Sequence, residues 1–270
     1  MDQVKENVLR QIMRDMQRVL VAYSGGVDST LLAVVAHQEL GQEAVAVTAV
    51  SPSLPSADLA EAKAIAQQFG CAHVLIESHE LDDPNYQANT PLRCYFCKHE
   101  VYGELIEYGR QHDFQFIIDG TNLDDTGDIR PGRKAAAEYG VRSPLIEAQF
   151  TKQDVRDLAR ALGIPNWDKP SAACLSSRIP HGTAVTIQLL SQVEQAEMII
   201  HDLGIRQARV RYHGEIARIE VSPDDFEIVL AQREKIVEQL RAIGYTFVAL
   251  DLVGYRMGSL NELIKAKNTA

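Results

Sequence analysis

A short β-prone run, Val19 to Tyr23, ends in a glycine turn, and a helical pattern from Ser29 to Leu40 follows at once, stopped by Gly41. Strand, glycine loop and helix in direct succession leave few architectures open. The loop reads Ser24-Gly25-Gly26-Val27-Asp28-Ser29. Paired glycines let the backbone bend until successive N–H groups face one anion. Ser24 and Ser29 add hydroxyl donors, and the helix amino terminus adds its positive end. The pattern predicts a phosphate cradle. Neither the Gly-Lys-Ser/Thr ending of a Walker loop nor the glycine spacing of a dinucleotide fingerprint is present.

The same rhythm continues downstream. Ala44 to Val50 is an apolar run suited to a strand covered on both faces, and a Ser/Pro-rich loop, Ser51 to Ser56, follows it. Leu59, Ala62, Ala66 and Phe69 keep helical spacing from a Ser56 cap to a Gly70 stop, and His73 to Ile76 supplies a third strand. Tyr95 to Gly109 predicts a further helix and Phe116 to Asp119 a further strand. The expected fold is α/β, a doubly wound parallel sheet with its ligand at the carboxyl ends of the strands. Thr151 with Asp154 reads as a capping box for a helix running to Leu162, which Gly163 and Pro165 end. Past Pro180 the order changes to a helix (Thr186 to Leu203), two strands turning near His213-Gly214 (Ala208 to Val221), a helix (Pro223 to Ile243) and a strand (Phe247 to Leu252). This predicts a smaller C-terminal α+β domain, with residues 1–180 and 181–270 as the two domains and the boundary near Pro180-His181-Gly182.

Composition narrows the function. The 270 residues carry 27 basic and 37 acidic side chains, a net charge of −10, with 46% hydrophobic residues. Such a balance suits a soluble globular protein acting on small molecules and weighs against a nucleic-acid footprint, which needs a basic face. No apolar run approaches the roughly 18 residues of a spanning helix. The charged opening from Met1 to Arg18 is unlike a secretory leader, so a cytoplasmic protein is expected, with no membrane partner.

Four cysteines in a reducing compartment read as thiols, ligands or catalysts. Cys94-Tyr95-Phe96-Cys97 puts two thiols one helical turn apart, able to converge on one metal or cluster. Cys174 lies in a loop-like segment, Pro170 to Pro180. Three cysteine ligands on a cubic cluster would leave one iron open to an extra sulfide. Zinc would instead want a fourth ligand such as His99, and a redox pair would leave Cys174 to carry a persulfide. Cys71 reads as a structural thiol. Asp119, Asp124 and Asp125 form acidic turns that suit magnesium. Arg209 and Arg211 alternate on one strand face, and with Ser177 and Arg178 they could clamp a phosphate. Trp167 reads as a packing residue, and the histidines show no ligand spacing.

The glycine loop resembles the pyrophosphate loop of the N-type ATP pyrophosphatases, the PP-loop superfamily with its adenine nucleotide alpha-hydrolase-like fold. Together with Arg93 to Lys98, Ile129 to Gly132, Arg142 to Leu145 and Pro170 to Pro180, it makes the chain similar, over nearly its whole length, to the ATP-dependent sulfur transferases of nickel-pincer nucleotide synthesis. That resemblance implies adenylation of the carboxylates of pyridinium-3,5-biscarboxylic acid mononucleotide and their conversion to thiocarboxylates, the sulfur ligands of the nickel cofactor of lactate racemase. It further implies ATP and Mg2+, with Ser24, Gly25, Gly26, Asp28, Ser29 and Gly120 around the phosphates and Ala49 to Ser51 along the adenosine. Lys98 and Arg133 would offset developing charge. Ser177, Arg178, Arg209 and Arg211 would hold the substrate phosphate, and Glu197, Glu220 and Asp225 a divalent ion. Some members sacrifice a cysteine's own sulfur; others resemble this chain in three cysteines that hold a [4Fe-4S] cluster, here Cys94, Cys97 and Cys174. Family members form large symmetric oligomers, which implies a homo-oligomer, a hexamer by that likeness; the sulfide donor stays open. The same loop also serves amide-forming and transfer-RNA-thiolating enzymes, and a nucleotide- or cluster-sensing protein could keep it without chemistry.

Overall fold

The computed structural model describes residues 3–127, 131–170 and 173–256. The expected motif residues Ile129, Arg130, Ser171 and Ala172 lie outside them. In chain order the elements are α1 (Gln3–Met16), β1 (Val19–Ala22), α2 (Val27–Leu40), β2 (Ala44–Val50), α3 (Ser56–Gln68), β3 (Ala72–Glu77), the short α4 (Pro84–Gln87), α5 (Arg93–Gln111), β4 (Phe116–Ile118), α6 (Pro131–Glu138), α7 (Pro144–Glu147), α8 (Lys152–Ala161), α9 (Ile187–His201), β5 (Ala208–His213), β6 (Ile216–Val221), α10 (Phe226–Ala231), α11 (Arg233–Ala242) and β7 (Phe247–Leu250). Two compact units result, one of residues 1–83 and 92–172, the other of 84–91 and 173–270.

The first unit is an α/β sandwich. Its parallel sheet has the order β3-β2-β1-β4, with Val19 opposite both Ala44 and Phe116. β1 to β3 are laid down in one direction, and β4 then joins on the other side of β1, so the carboxyl ends of β1 and β4 flank the point where the winding reverses. β1 is buried along nearly its whole length, as an interior parallel strand should be. The middle of α2, Leu31 to Ala36, is apolar on every side and is covered by α1, α8 and the sheet. Leu31 and Leu32 are fully buried there, each contributing about 1.5–3 kcal/mol. α1 lies outside the expected elements. Leu9, Met13 and Met16 form its buried stripe within an otherwise charged segment. The capping box opens α8 as expected: the Thr151 side chain accepts from the Asp154 N–H, and the Asp154 carboxylate accepts from the Thr151 N–H.

In the second unit β5 and β6 pair antiparallel, β6 and β7 parallel, and α9 packs on β5. Its core gathers Ala196, Ile200, Val210, Ile219, Val221, Ile236 and Leu240. The single helix expected from Pro223 to Ile243 is instead a 3₁₀ turn followed by α10 and α11, broken at Gln232. The break lets Val229 of one helix and Ile236 and Leu240 of the other enter that one core.

The units divide at 172/173 rather than near 180, and the second takes in residues 84–91. Hydrogen bonds explain both differences. Fully buried Asn89 donates through Nδ2 to the carbonyls of Ile179, Pro180 and Thr183, and its own carbonyl accepts from the Gly182 N–H. Tyr86 shares a 2.6 Å bond with Ser176. Arg178 draws the carbonyls of Ala173 and Cys174 onto its guanidinium, so Cys174, Ser177 and Arg178 fold with the second unit.

Candidate active site

In the first unit the glycine loop leaves β1 and enters α2. Gly25 has φ +73°, and a Cβ there would stand 3.0 Å from Ala62 Cβ, so only glycine fits between the loop and α3. Ser29 Oγ donates to the Gly26 carbonyl at 3.1 Å and accepts from the Ser24 N–H at 3.2 Å, closing the loop on itself. No side chain caps α2 at Gly26. First-turn N–H groups of an uncapped helix are available to an anion. Burial pushes the Tyr23 phenol up to about 12, keeping it protonated as a donor to the Ala62 carbonyl and tying the loop's root to α3.

Gly120, just past β4, is packed against this loop. A Cβ at Gly120 would lie 2.7 Å from the Ser29 nitrogen. Asp28 accepts from Asn122 Nδ2 at 3.1 Å and pairs with Lys152, whose own N–H is held by Asp124 at 2.8 Å. Asp119 is a structural hub: its carboxylate accepts from Tyr102, Ser143 and both the N–H and hydroxyl of Thr121. The Asp125 carboxylate accepts from the Asn122 N–H. Magnesium at Asp119 would compete with that full set. Ala49 and Ser51 lie where β2 ends, and the hydroxyls of Ser51 and Ser53 both donate to the buried Glu80 carboxylate.

Asn166, 2% exposed, donates from Nδ2 to the Gly25 carbonyl at 3.0 Å and to Thr30 Oγ1 at 3.2 Å. Lys169, three residues on, pairs with Asp58 and Glu61 of α3. Burial alone would lower the Lys169 ammonium, but these two carboxylates outweigh it and raise it. Lys152, Asn166, Asn122 and Glu80 were not foreseen as site residues. The capping box places Lys152 in the first turn of α8, but its pairing with Asp28, 124 residues away, has no local signal.

Cys94 and Cys97 occupy the first turns of α5, Cys94 exposed and Cys97 half-buried; Cys174 is half-buried in the second unit. None of the cysteines is in a disulfide. Gly132 lets α6 approach this helix start, since a Cβ there would stand 3.0 Å from Lys98 Cγ. Lys98 Nζ lies 5.5 Å from the Tyr102 ring centre, and Arg133 donates to the carbonyls of Asp125 and Thr126. Soft thiols three residues apart suit two ligands of an iron–sulfur cluster. Among the described residues no three His, Cys, Asp or Glu side chains form a group able to hold a metal ion.

The second unit concentrates arginine. Arg178 forms a bidentate pair with Glu197 at 2.9 and 2.8 Å, and Glu197 also accepts from the Val210 N–H. Arg211 pairs with Glu220 at 2.9 Å and donates to the Ser177 carbonyl; Arg218 also pairs with Glu220. Burial, then repulsion from Arg178, lowers the Arg209 guanidinium from its ordinary value. A divalent ion at Glu197, Glu220 and Asp225 would have to displace these arginines from the first two. Asp225 ends the 3₁₀ turn Pro223–Asp225.

A glycine loop entering a helix at the reversal point of a parallel sheet, without Walker or dinucleotide spacing, is the PP-loop arrangement, and the family model described as asparagine synthase matches residues 2–91. The chain is an ATP-using enzyme of the PP-loop ATP pyrophosphatase class. It is 46% identical over 258 residues to an uncharacterised protein of Synechocystis, spanning 95% of this chain and 96% of that relative. It is 37% identical over 261 residues to the pyridinium-3,5-bisthiocarboxylic acid mononucleotide synthase of Lactiplantibacillus plantarum, spanning 96% of this chain and 95% of the synthase. An uncharacterised protein of Methanocaldococcus jannaschii is 27% identical over 240 residues. The chain belongs to the family of the pyridinium-3,5-bisthiocarboxylic acid mononucleotide synthases, ATP-dependent enzymes of sulfur transfer. No helix among the described residues is long and apolar enough to cross a membrane.

Proposed function

We propose that this enzyme adenylates the carboxylates of pyridinium-3,5-biscarboxylic acid mononucleotide and exchanges AMP for sulfur, giving the bisthiocarboxylate. The observation that carries this reading is the likeness to the Lactiplantibacillus synthase along 96% of the chain, which takes in both units. Ser24, Gly25, Gly26 and Ser29 bind the β- and γ-phosphates through N–H and hydroxyl groups, and Asp28 with its partner Lys152 sets the charge at the start of α2. Gly120 leaves room for this start of the helix, and Ala49 and Ser51 line the adenosine. One carboxylate oxygen attacks the α-phosphorus, the bond to the bridging oxygen breaks, and pyrophosphate leaves with that electron pair. Lys98 and Arg133 offset the charge that develops. Sulfide attacks the acyl carbon and AMP departs, one ATP for each thiocarboxylate.

Cys94, Cys97 and Cys174 are the sulfur-handling thiols. These three thiols would hold a [4Fe-4S] cluster, which would supply the sulfur nucleophile. Ser177, Arg178, Arg209 and Arg211 hold the substrate's phosphate. Support comes from the arginine cluster of the second unit, where the guanidinium groups of Arg178, Arg211 and Arg218 pair with the carboxylates of Glu197, Glu220 and Asp251 and Arg178 repels Arg209. A phosphate dianion suits such planar guanidinium donors.

The test is anaerobic purification of the wild type and of Cys94→Ala, Cys97→Ala and Cys174→Ala. Each is assayed for iron, acid-labile sulfide and, with ATP, sulfide and the biscarboxylate mononucleotide, for AMP, pyrophosphate and thiocarboxylate. About four irons per wild-type chain, lost in all three variants together with thiocarboxylate formation, supports the proposal. Iron-free wild type after anaerobic reconstitution overturns the cluster, and absence of thiocarboxylate overturns the substrate.

A further inference from the structure

Gly25 occupies the left-handed region at φ +73°, where glycine turns its following peptide at little cost, so something outside the loop must fix that peptide. The structure supplies one hold. Asn166 Nδ2 donates to the Gly25 carbonyl at 3.0 Å, from a side chain 2% exposed. Because the acceptor is a carbonyl, the amide must present nitrogen there; its orientation is settled by chemistry. In a trans peptide the carbonyl of one residue and the N–H of the next point to opposite sides. Fixing the Gly25 carbonyl on Asn166 therefore turns the Gly26 N–H the other way, away from the buried amide.

The same side chain carries a cost. Asn166 Oδ1 is buried with no hydrogen-bond partner, whereas its Nδ2 is the donor that satisfies the buried Gly25 carbonyl. The amide's satisfied end is the one that faces the loop. We propose that Asn166 is a positioning residue of the glycine loop: by holding the Gly25 carbonyl it presents the Gly26 N–H to the pyrophosphate of ATP. The proposal rests on the assignment of this loop as the pyrophosphate cradle. Lys169, tied to Asp58 and Glu61 of α3, anchors the turn that carries Asn166 to the helix on which Gly25 rests.

The experiment titrates the full chain calorimetrically with magnesium pyrophosphate and, separately, with AMP, comparing wild type, Asn166→Leu and Thr30→Val. Glycine-selective 15N labelling follows the Gly26 amide. Asn166→Leu should weaken pyrophosphate binding about tenfold or more, the effect of losing one hydrogen bond to a charged group, and should abolish the shift of the Gly26 amide. AMP affinity should stay close to wild type, while the melting temperature falls modestly because the buried Gly25 carbonyl loses its donor. Thr30→Val removes the second partner of Asn166, together with the Thr30 hydroxyl's bond to Tyr23, and should keep the Gly26 response. Pyrophosphate bound equally by wild type and Asn166→Leu overturns the proposal, as does a loss in Thr30→Val as large as in Asn166→Leu. Wild type that fails to bind pyrophosphate at all overturns the loop assignment itself. Asn166→Ala, which leaves room for water, gives the same comparison should Asn166→Leu not fold.

Discussion

Replacing Gly120 with alanine tests whether the end of β4 sets the position of the glycine loop. The new Cβ would stand 2.7 Å from the Ser29 nitrogen, 2.9 Å from the Asp28 carbonyl carbon and 3.0 Å from Asp28 Cβ. The two nearest atoms are backbone in the first turn of α2, so no side-chain rotation relieves the clash. Going from 2.7 Å to the 3.4 Å at which ordinary contact begins requires the strand end and the helix to part by about 0.7 Å. Overpacking of this kind costs about 1–3 kcal/mol. In a chain of this size each kcal/mol lowers Tm by about 2–4 °C. Catalysis should suffer more, because a misplacement of about 1 Å can cost about a hundredfold in rate. Measured as ATP-dependent pyrophosphate release, Gly120→Ala should lose at least about tenfold in kcat/KM. Gly103→Ala is the control: its Cβ meets nothing nearer than the Tyr139 hydroxyl at 3.4 Å. That variant should keep its activity and gain up to about 1 kcal/mol from helix propensity. Gly120→Ala with wild-type turnover and an unshifted Tm would refute the steric reasoning.

Glu197→Ala strands the guanidinium of Arg178, itself 2% exposed, and should cost about 3–5 kcal/mol in urea unfolding. An Arg178→Met/Glu197→Leu double variant should recover most of it, and equal losses in both would contradict the pairing. Burial alone would raise the Asp154 carboxyl, but Lys5 and the hydroxyl and N–H of Thr151 outweigh it and hold it at about 2. Its folded value is depressed, so its stabilisation is complete above the unfolded value of about 4 and is lost as pH falls. The Tm gap between wild type and Asp154→Asn should persist from neutral pH to about 4 and close towards about 2; a constant gap would count against the ion pair. Burial pushes the Cys71 thiol up to about 11, so iodoacetamide near neutral pH should modify exposed Cys94 well before Cys71. Peptide mass mapping that finds Cys71 alkylated first would overturn this.

Local patterns carried most of the first unit into view. The strands near Val19, Ala44, His73 and Phe116, the glycine loop and the capping box at Thr151 each depend on residues adjacent in sequence, where periodicity and cap chemistry operate. α1 escaped because its buried stripe of Leu9, Met13 and Met16 is diluted by charges that face away from the core. The motif residues of the loop could be named because a peptide nest is a local object. Their supports could not: Lys152 reaches Asp28, Asn166 reaches Gly25 and Gly120 abuts Ser29 only once the sheet has brought distant segments together. Sequence spacing also left Arg178 with the first domain and Glu197 and Glu220 free to take a divalent ion. The folded chain draws Arg178 into the second unit and commits both carboxylates to arginines, because a buried charge needs a partner of opposite sign at contact distance. Sequence by itself determined the chemistry of the loop and the order of the elements, both set by neighbours along the chain. Tertiary structure decided which side chains hold that loop in place and which arginines pair with which carboxylates, because both depend on contacts between residues far apart in sequence.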